Sequence, residues 1–261
     1  MAGLPAIRAL QTRSGRLGYI VSGSGDPTIV LCSGAGVSLQ GWEQLYPDIE
    51  QLGTVFAWNR FGLQGSDPPL PRQTGTAVLG SLRELLGYSG LAPPYVLVAH
   101  SLGGLFANLY ARLYPEQVAG VLFLEAAHLQ DREALQKHED HLVQALGKVL
   151  ALPEILFRPN VQRELACLEE TAQEIESAGP FPAVPVRVIT GGLTPRSGPM
   201  SPGVVGAKRA NQQALARLSP LGEQVIAQKS GHFPQLTEPE LVLRVLRELL
   251  SLARQPVHSP G

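Results

Sequence analysis

Two runs in this chain, Tyr95-Val-Leu-Val-Ala and Gly120-Val-Leu-Phe-Leu, are apolar at nearly every position over the length of a strand. A strand with one face in water alternates apolar and polar residues. A continuous run instead implies cover on both faces, the situation of a parallel strand inside a sheet flanked by helices. Such a sheet needs crossover helices between its strands, and the chain supplies them. Apolar runs at Val55 to Trp58, Val186 to Thr190 and Gln224 to Ala227 read as further strands. Helical periodicity marks Thr76 to Leu86, Leu102 to Leu113, Lys208 to Leu218 and Pro239 to Arg254, the last with a stripe of Leu241, Val242, Val245, Leu246, Leu249 and Leu250. The opening differs. Ile7 to Thr12 and Arg16 to Val21 flank Ser14-Gly15, a hairpin turn, and Thr28 to Cys32 follows, so the sheet is expected to begin antiparallel. The expected fold class is α/β, with a mostly parallel eight-stranded sheet, helices on both faces and a helical cap insertion.

At 44% hydrophobic residues, the chain has enough apolar material for a single core, and one domain over residues 1–254 is expected. Residues from about 129 to 180 carry clustered charge, as in Gln130-Asp131-Arg132-Glu133 and Lys137-His138-Glu139-Asp140, interleaved with leucines. They read as the cap inserted between two core strands. Thr190 to Gly206 is rich in Gly, Pro and Ser and reads as a loop near the sheet's carboxyl edge. Residues 255–261 read as a flexible tail.

The 21 basic and 22 acidic residues give a net charge of −1 with no block of one sign, which argues against nucleic acid or an anionic membrane as partner. Cys32 and Cys167 do not suggest a disulfide framework. No run reaches the ~18 apolar residues of a membrane span. The segment Met1 to Arg8 lacks the basic start and apolar run of a secretory signal, so a cytoplasmic location is expected. No His, Cys and Asp cluster has the spacing of metal ligands, and neither a metal nor another cofactor is expected.

The chemistry centres on His100-Ser101-Leu102-Gly103-Gly104, which stands between the run ending at Ala99 and the helical pattern beginning at Leu105. The order of strand, tight turn and helix is the context of a nucleophile elbow, Gly-x-Ser-x-Gly with Ala99 in its first position. Small residues at Ala99, Gly103 and Gly104 let the turn pack closely. Ser101 then sits at its apex, where backbone N–H groups favour developing negative charge. A serine in such a turn otherwise serves only to cap the helix.

Other motifs follow in order. Leu31-Cys32-Ser33-Gly34-Ala35-Gly36 precedes Trp42, Asn59-Arg60-Phe61-Gly62-Leu63-Gln64-Gly65-Ser66-Asp67 follows the fourth strand, and Gly231-His232-Phe233 precedes the last helix. With the elbow, these make the chain resemble an α/β-hydrolase over nearly its whole length. It departs from the family at Ser33, where many members have His, and at Asn59, where many have Asp. The resemblance implies Ser101 as nucleophile and His232 as general base. It implies the N–H groups of Ala35 and Leu102 as the oxyanion hole, each worth about 3 kcal/mol of transition-state stabilisation. Gly34, Gly36 and Trp42 are the expected substrate-binding positions. His128, near a strand end, is the rival base. Cys32, at the end of an apolar strand, reads as core.

The triad's carboxylate usually follows the strand read here as Val186 to Thr190, yet no Asp or Glu occurs from Ser177 to Gly222. A variant within the fold places the acid one strand earlier, where this chain has Glu125 directly after Gly120-Val-Leu-Phe-Leu. Asp131 and Glu133 are alternatives, and Glu125 otherwise reads as a structural ion pair or a solvated strand end. The function implied is hydrolysis of a small uncharged ester or related acyl substrate by a Ser-His-Glu triad through an acyl-enzyme. The same machinery serves an acyltransferase, an amidase, a C–C bond hydrolase or a perhydrolase, and a ligand-binding or receptor protein with little turnover could retain the fold. Dehalogenase and epoxide hydrolase relatives use an Asp nucleophile where this chain has Ser101.

Overall fold

A computed structural model of the chain describes residues 3–70, 72–131, 140, 143, 158–193 and 202–255, with 202–205 described in backbone only. The opening hairpin is β1 (Arg8–Thr12) and β2 (Gly15–Ser22), followed by β3 (Thr28–Cys32), α1 (Tyr46–Glu50), β4 (Val55–Trp58), α2 (Gly75–Tyr88) and β5 (Tyr95–His100). Next come α3 (Gly103–Leu113), β6 (Val118–Leu124), α4 (Arg158–Ala166), α5 (Leu168–Ser177) and β7 (Val186–Gly191). The chain continues through α6 (Pro202–Ala216), β8 (Gly222–Ala227), α7 (Pro234–Thr237) and α8 (Pro239–Ala253). The strands form one eight-stranded sheet in the order β1-β2-β4-β3-β5-β6-β7-β8. β2 runs antiparallel to both β1 and β4, and the pairings from β4 through β3 to β8 are parallel.

The continuous apolar runs occupy the centre of that sheet, where every residue of β3, β4 and β5 is buried. Side chains alternate between faces along a strand, so each run feeds two cores. Val30, Leu97, Val121 and Phe123 pack with α2, α3, α5 and the end of α6, whereas Ile29, Leu31, Val96 and Leu122 pack with α1 and α8. The α8 stripe, Leu241 to Leu250, is buried as its periodicity requires.

Two differences from the sequence expectation have local causes. Residues 202–206, read as the end of a loop, open α6, because a proline is well placed in the first turn of a helix and Pro202 starts this one. The short α1 carries Pro47 in its first turn, and at five residues it is too brief to show a period. Of the expected cap, the described part includes α4 and α5. Glu133, His138 and most of residues 132–157 lie outside the described residues, as do residues 194–201 of the expected loop and 256–261 of the expected tail. The insertion is docked on the core by hydrogen bonds. Gly75 N donates to Thr171 Oγ1 at 3.0 Å, and Thr76 N donates to Glu174 Oε2 at 2.9 Å. Among the described residues no helix is long and apolar enough to cross a membrane.

Candidate active site

The elbow is built where β5 passes into α3. Ser101 has φ 51°, in the left-handed region. A residue other than glycine pays of order 1–3 kcal/mol for that conformation and keeps it only where its surroundings fix it. Here they do. Ser101 N donates to Leu124 O at 3.2 Å, and Ser101 O accepts from Gly104 N and Ala127 N, both at 2.9 Å. Close packing demands the glycine at 103, since a Cβ there would lie 2.3 Å from Cys32 O.

His232 arrives on the loop between β8 and α7. Its Nε2 lies 3.1 Å from Ser101 Oγ, within hydrogen-bond reach of a nucleophile's proton. Behind it, His232 Nδ1 is 3.6 Å from Glu125 Oε2, an ion-pair distance longer than a hydrogen bond. Glu125 stands one residue past β6 with φ 44° and is buried. Its amide continues the ladder by donating to Ile189 O at 2.9 Å, and its Oε1 accepts from Gly191 N at 2.6 Å. A protonated Nδ1 facing this carboxylate leaves Nε2 free to accept from the serine hydroxyl.

A second cation shares the carboxylate: Lys208 of α6 pairs with Glu125 Oε2. Burial would raise the Glu125 pKa, but the neighbouring His232 and the Lys208 charge outweigh it and lower the group to about 2. Burial holds the His232 imidazole below its ordinary value. Glu125 opposes that shift and Lys208 adds to it.

His100, one residue before Ser101, is buried with Nε2 2.8 Å from His232 O. A carbonyl only accepts, so Nε2 carries the proton and donates. Its ring also lies 5.3 Å from that of Phe233. His100 thus holds the loop that carries His232. Burial, reinforced by the His232 charge, lowers the His100 pKa to about 3. Unfolded, this histidine would take a proton near 6.5; folded, it does not until about 3, so its contribution to stability is complete above about 6.5 and lost as pH falls towards 3. Glu125, with its depressed pKa, adds an acid loss only below its ordinary 4.5. Urea unfolding is therefore expected to show stability falling between pH 6.5 and 4.5. His100→Asn, which keeps a donor and removes the titration, should reduce that slope, while His232 and His128, which burial also holds below their ordinary values, keep the remainder; an unchanged slope would assign it to those other groups.

The Gly-rich loop of residues 33–36 lies against the elbow: a Cβ on Gly34 would stand 3.1 Å from Ser101 Cβ and 3.2 Å from His100 Nδ1. The amide N–H groups of Ala35 and Leu102 have no hydrogen-bond partner among the described residues, whereas Gly36 N is engaged by Glu164 Oε2 at 2.7 Å. Trp42 differs from its expected substrate-facing place. It is 1% exposed and enclosed in the apolar layer beside α1, and its indole N–H donates to Ser33 Oγ at 2.9 Å. Ser33, one departure from the family pattern, is thus the acceptor that fixes this loop. Asn59, the other, uses both halves of its amide: Oδ1 accepts from Leu39 N at 2.7 Å and Nδ2 donates to Gln64 O at 2.6 Å. An aspartate could not make the second bond.

The rival groups are engaged elsewhere. The His128 ring accepts from Gln130 N at Nδ1, 3.3 Å away, and Asp131 accepts from His128 N through Oδ2 at 2.9 Å and from Asn211 Nδ2 through Oδ1 at 2.6 Å. Cys32 is buried core, and burial pushes its thiol up to about 12. Among the described residues, no group of three or more His, Cys, Asp or Glu side chains is placed to hold a metal ion. Three further residues are brought to the site by the structure: Lys208 and Glu164 carry no local motif that marks them, and Arg60 stands inside the Asn59 to Asp67 motif without being singled out there. The one signal is that the stretch lacking any acid, from Ser177 to Gly222, contains Lys208.

Comparison with known proteins agrees with this architecture. Among curated proteins, the uncharacterized protein YbdG of Bacillus subtilis is 26% identical over 166 residues, 60% of this chain and 51% of that protein. A haloalkane dehalogenase of Sphingobium indicum is 28% identical over 180 residues, 62% of this chain and 60% of that protein. The chain spans about half the length of the first curated relatives it matches. Among solved structures, the enol-lactonase of Burkholderia xenovorans superposes with TM-score 0.68 at 16% identity, covering 94% of this chain and 100% of that one. A thermophilic esterase from Thermogutta terrifontis gives TM-score 0.68 at 18% identity, with 96% and 100% covered. At such identities the likeness is one of fold. The family model for the alpha/beta hydrolase fold matches residues 27–168, from β3 through the elbow into the insertion, and the chain belongs to that family.

Proposed function

We propose that the chain is a serine hydrolase acting on a small, uncharged ester or related acyl substrate. The observation that carries this reading is the 3.1 Å approach of His232 Nε2 to Ser101 Oγ at a positive-φ elbow. His232 takes the hydroxyl proton as Ser101 Oγ attacks the acyl carbonyl. The N–H groups of Ala35 and Leu102 receive the oxyanion, and Gly34 and Gly36 let the loop come close to the substrate. His232 then gives its proton to the leaving group, and water, activated by the same imidazole, releases the acyl group from Ser101. Glu125 orients the imidazole and balances its charge. The ester preference rests on the pairing of Lys208 with Glu125, which leaves that ammonium neutralised instead of turned to an anionic substrate. The dehalogenase relative does not extend its chemistry here, because the elbow offers a hydroxyl and no carboxylate. The test is a panel of p-nitrophenyl esters of graded chain length together with labelling by a serine-directed phosphonate. Turnover with labelling of Ser101 supports the reading; an inert Ser101 would favour a ligand-binding protein.

The electrostatics fix how activity responds to pH. Only neutral His232 acts as base, so kcat/KM rises as pH passes upward through its pKa, which lies below the ordinary 6.5. Lys208→Met removes a cation that disfavours the imidazolium. The pKa then rises, and the acidic limb of the kcat/KM profile should move to higher pH. A limb that stays in place would show that Lys208 does not act on His232.

A further inference from the structure

Arg60 and Glu164 form an ion pair outside the triad with side chains 4% and 1% exposed. Arg60 Nε donates to Glu164 Oε1 at 2.5 Å, and one terminal nitrogen donates to Glu164 Oε2 at 3.0 Å. Among the described residues, the pair's other side-chain hydrogen bonds go to the oxyanion loop. Arg60 donates to Ser33 O at 3.0 Å and to Gly34 O at 2.7 Å, and Glu164 Oε2 accepts from Gly36 N at 2.7 Å. The guanidinium also lies 5.5 Å from the centre of the Phe106 ring on α3, next to the elbow.

This pattern determines which way the loop's peptide groups face. A trans peptide is planar, with its C=O and N–H directed oppositely. The peptide joining Gly34 to Ala35 turns its carbonyl to Arg60, so the Ala35 N–H faces away from Arg60. The same loop lies against the elbow, since a Cβ on Gly34 would stand 3.1 Å from that of Ser101. Glu164 belongs to α4, within the insertion, and reaches across more than a hundred residues of sequence to secure Gly36 and the guanidinium together.

We infer that Arg60 and Glu164 are a positioning pair that aims the Ala35 N–H at the reacting carbonyl, which makes the insertion a working part of the oxyanion hole. The inference rests on the serine hydrolase reading for its catalytic consequence. Neither residue touches the reacting atoms. A planar guanidinium is suited to this task because its fixed fork holds two carbonyls and a carboxylate at once, which a lysine ammonium on a flexible stem does not.

The test separates positioning from stability. Removing one partner leaves a buried charge alone and endangers folding, whereas replacing both with apolar residues of similar volume is often neutral for stability. Arg60→Met/Glu164→Leu is therefore expected to unfold near the wild-type denaturant midpoint. Its kcat should fall about 100-fold, the scale of losing one oxyanion donor, with a smaller change in KM. Glu164→Gln, which keeps the shape but loses the fork, serves as a second variant with a smaller kcat loss of about 10-fold. A folded double variant with wild-type kcat would overturn the inference and leave the hydrolase reading standing. Hydrogen exchange of the peptide covering residues 33–42 gives a readout that needs no turnover, and it should quicken in both variants. If the wild type neither turns over esters nor labels at Ser101, the hydrolase reading fails. Unchanged exchange in the variants would independently remove the clamp.

Discussion

Ser101→Ala is expected to lose acyl turnover by about 10⁶-fold in kcat, the scale seen when the nucleophile of a serine triad is removed. The loss should come without loss of fold. The backbone bonds that hold the elbow, from Ser101 N to Leu124 O and from Gly104 N and Ala127 N to Ser101 O, do not involve the side chain. The hydroxyl's partner is His232 Nε2, and alanine keeps the Cβ, so the cost of φ 51° is the same in both proteins. The variant should unfold within about 0.5 kcal/mol of wild type. Ser101→Gly provides the contrast. Glycine adopts positive φ freely, which relieves strain of order 1 kcal/mol, partly offset by its greater freedom when unfolded. That variant should be equally inactive and no less stable. Hydrolysis at a comparable rate in folded Ser101→Ala would sink the nucleophile assignment, and a marked drop in stability would mean the elbow depends on the hydroxyl.

The parts of this molecule legible in the sequence are those that local chain physics specifies. The runs at Tyr95 and Gly120 are strands buried on both faces, because an apolar stretch of that length with no polar alternation has no face to turn to water. The elbow is legible because strand, turn and helix are contiguous. The candidate acid is narrowed only by exclusion: the usual stretch holds no carboxylate, and Glu125 stands at the end of a strand adjacent to it. The supporting groups are not legible this way. Lys208 meets Glu125 across 83 residues, and Glu164 meets Arg60 across 104. Each looks like an ordinary charged residue on a helix or loop until the tertiary fold brings the partners together. Trp42 misleads for a related reason. A tryptophan following a Gly-rich loop looks like a substrate contact, and only packing reveals that the ring fills the layer beneath that loop.

Glu125→Gln should reduce kcat by up to about 10⁴-fold with a smaller change in KM, because the carboxylate's support for the imidazole grows as the imidazolium forms. Glutamine matches glutamate in size, although it leaves the Lys208 ammonium without its carboxylate. Its carbonyl can still accept from Gly191 N, as Glu125 Oε1 does at 2.6 Å, and the φ of 44° is no worse for it than for glutamate. The amide NH2, however, offers a donor to His232 Nδ1, and a histidine that accepts there carries its proton on Nε2, where it cannot take one from Ser101. Two measurements separate this cause from a merely structural one. First, losing the anion removes an influence that raises the His232 pKa while Lys208, which lowers it, remains. The acidic limb of kcat/KM should therefore move to lower pH, opposite to the shift expected for Lys208→Met. Second, Asp131 is not free to substitute, since both its oxygens are occupied by His128 N and Asn211 Nδ2. No partial recovery is expected from that neighbour, and adding Asp131→Asn to Glu125→Gln should change kcat little further. Near-normal kcat in a folded Glu125→Gln protein would remove Glu125 from the triad and leave Ser101 and His232 to work as a pair.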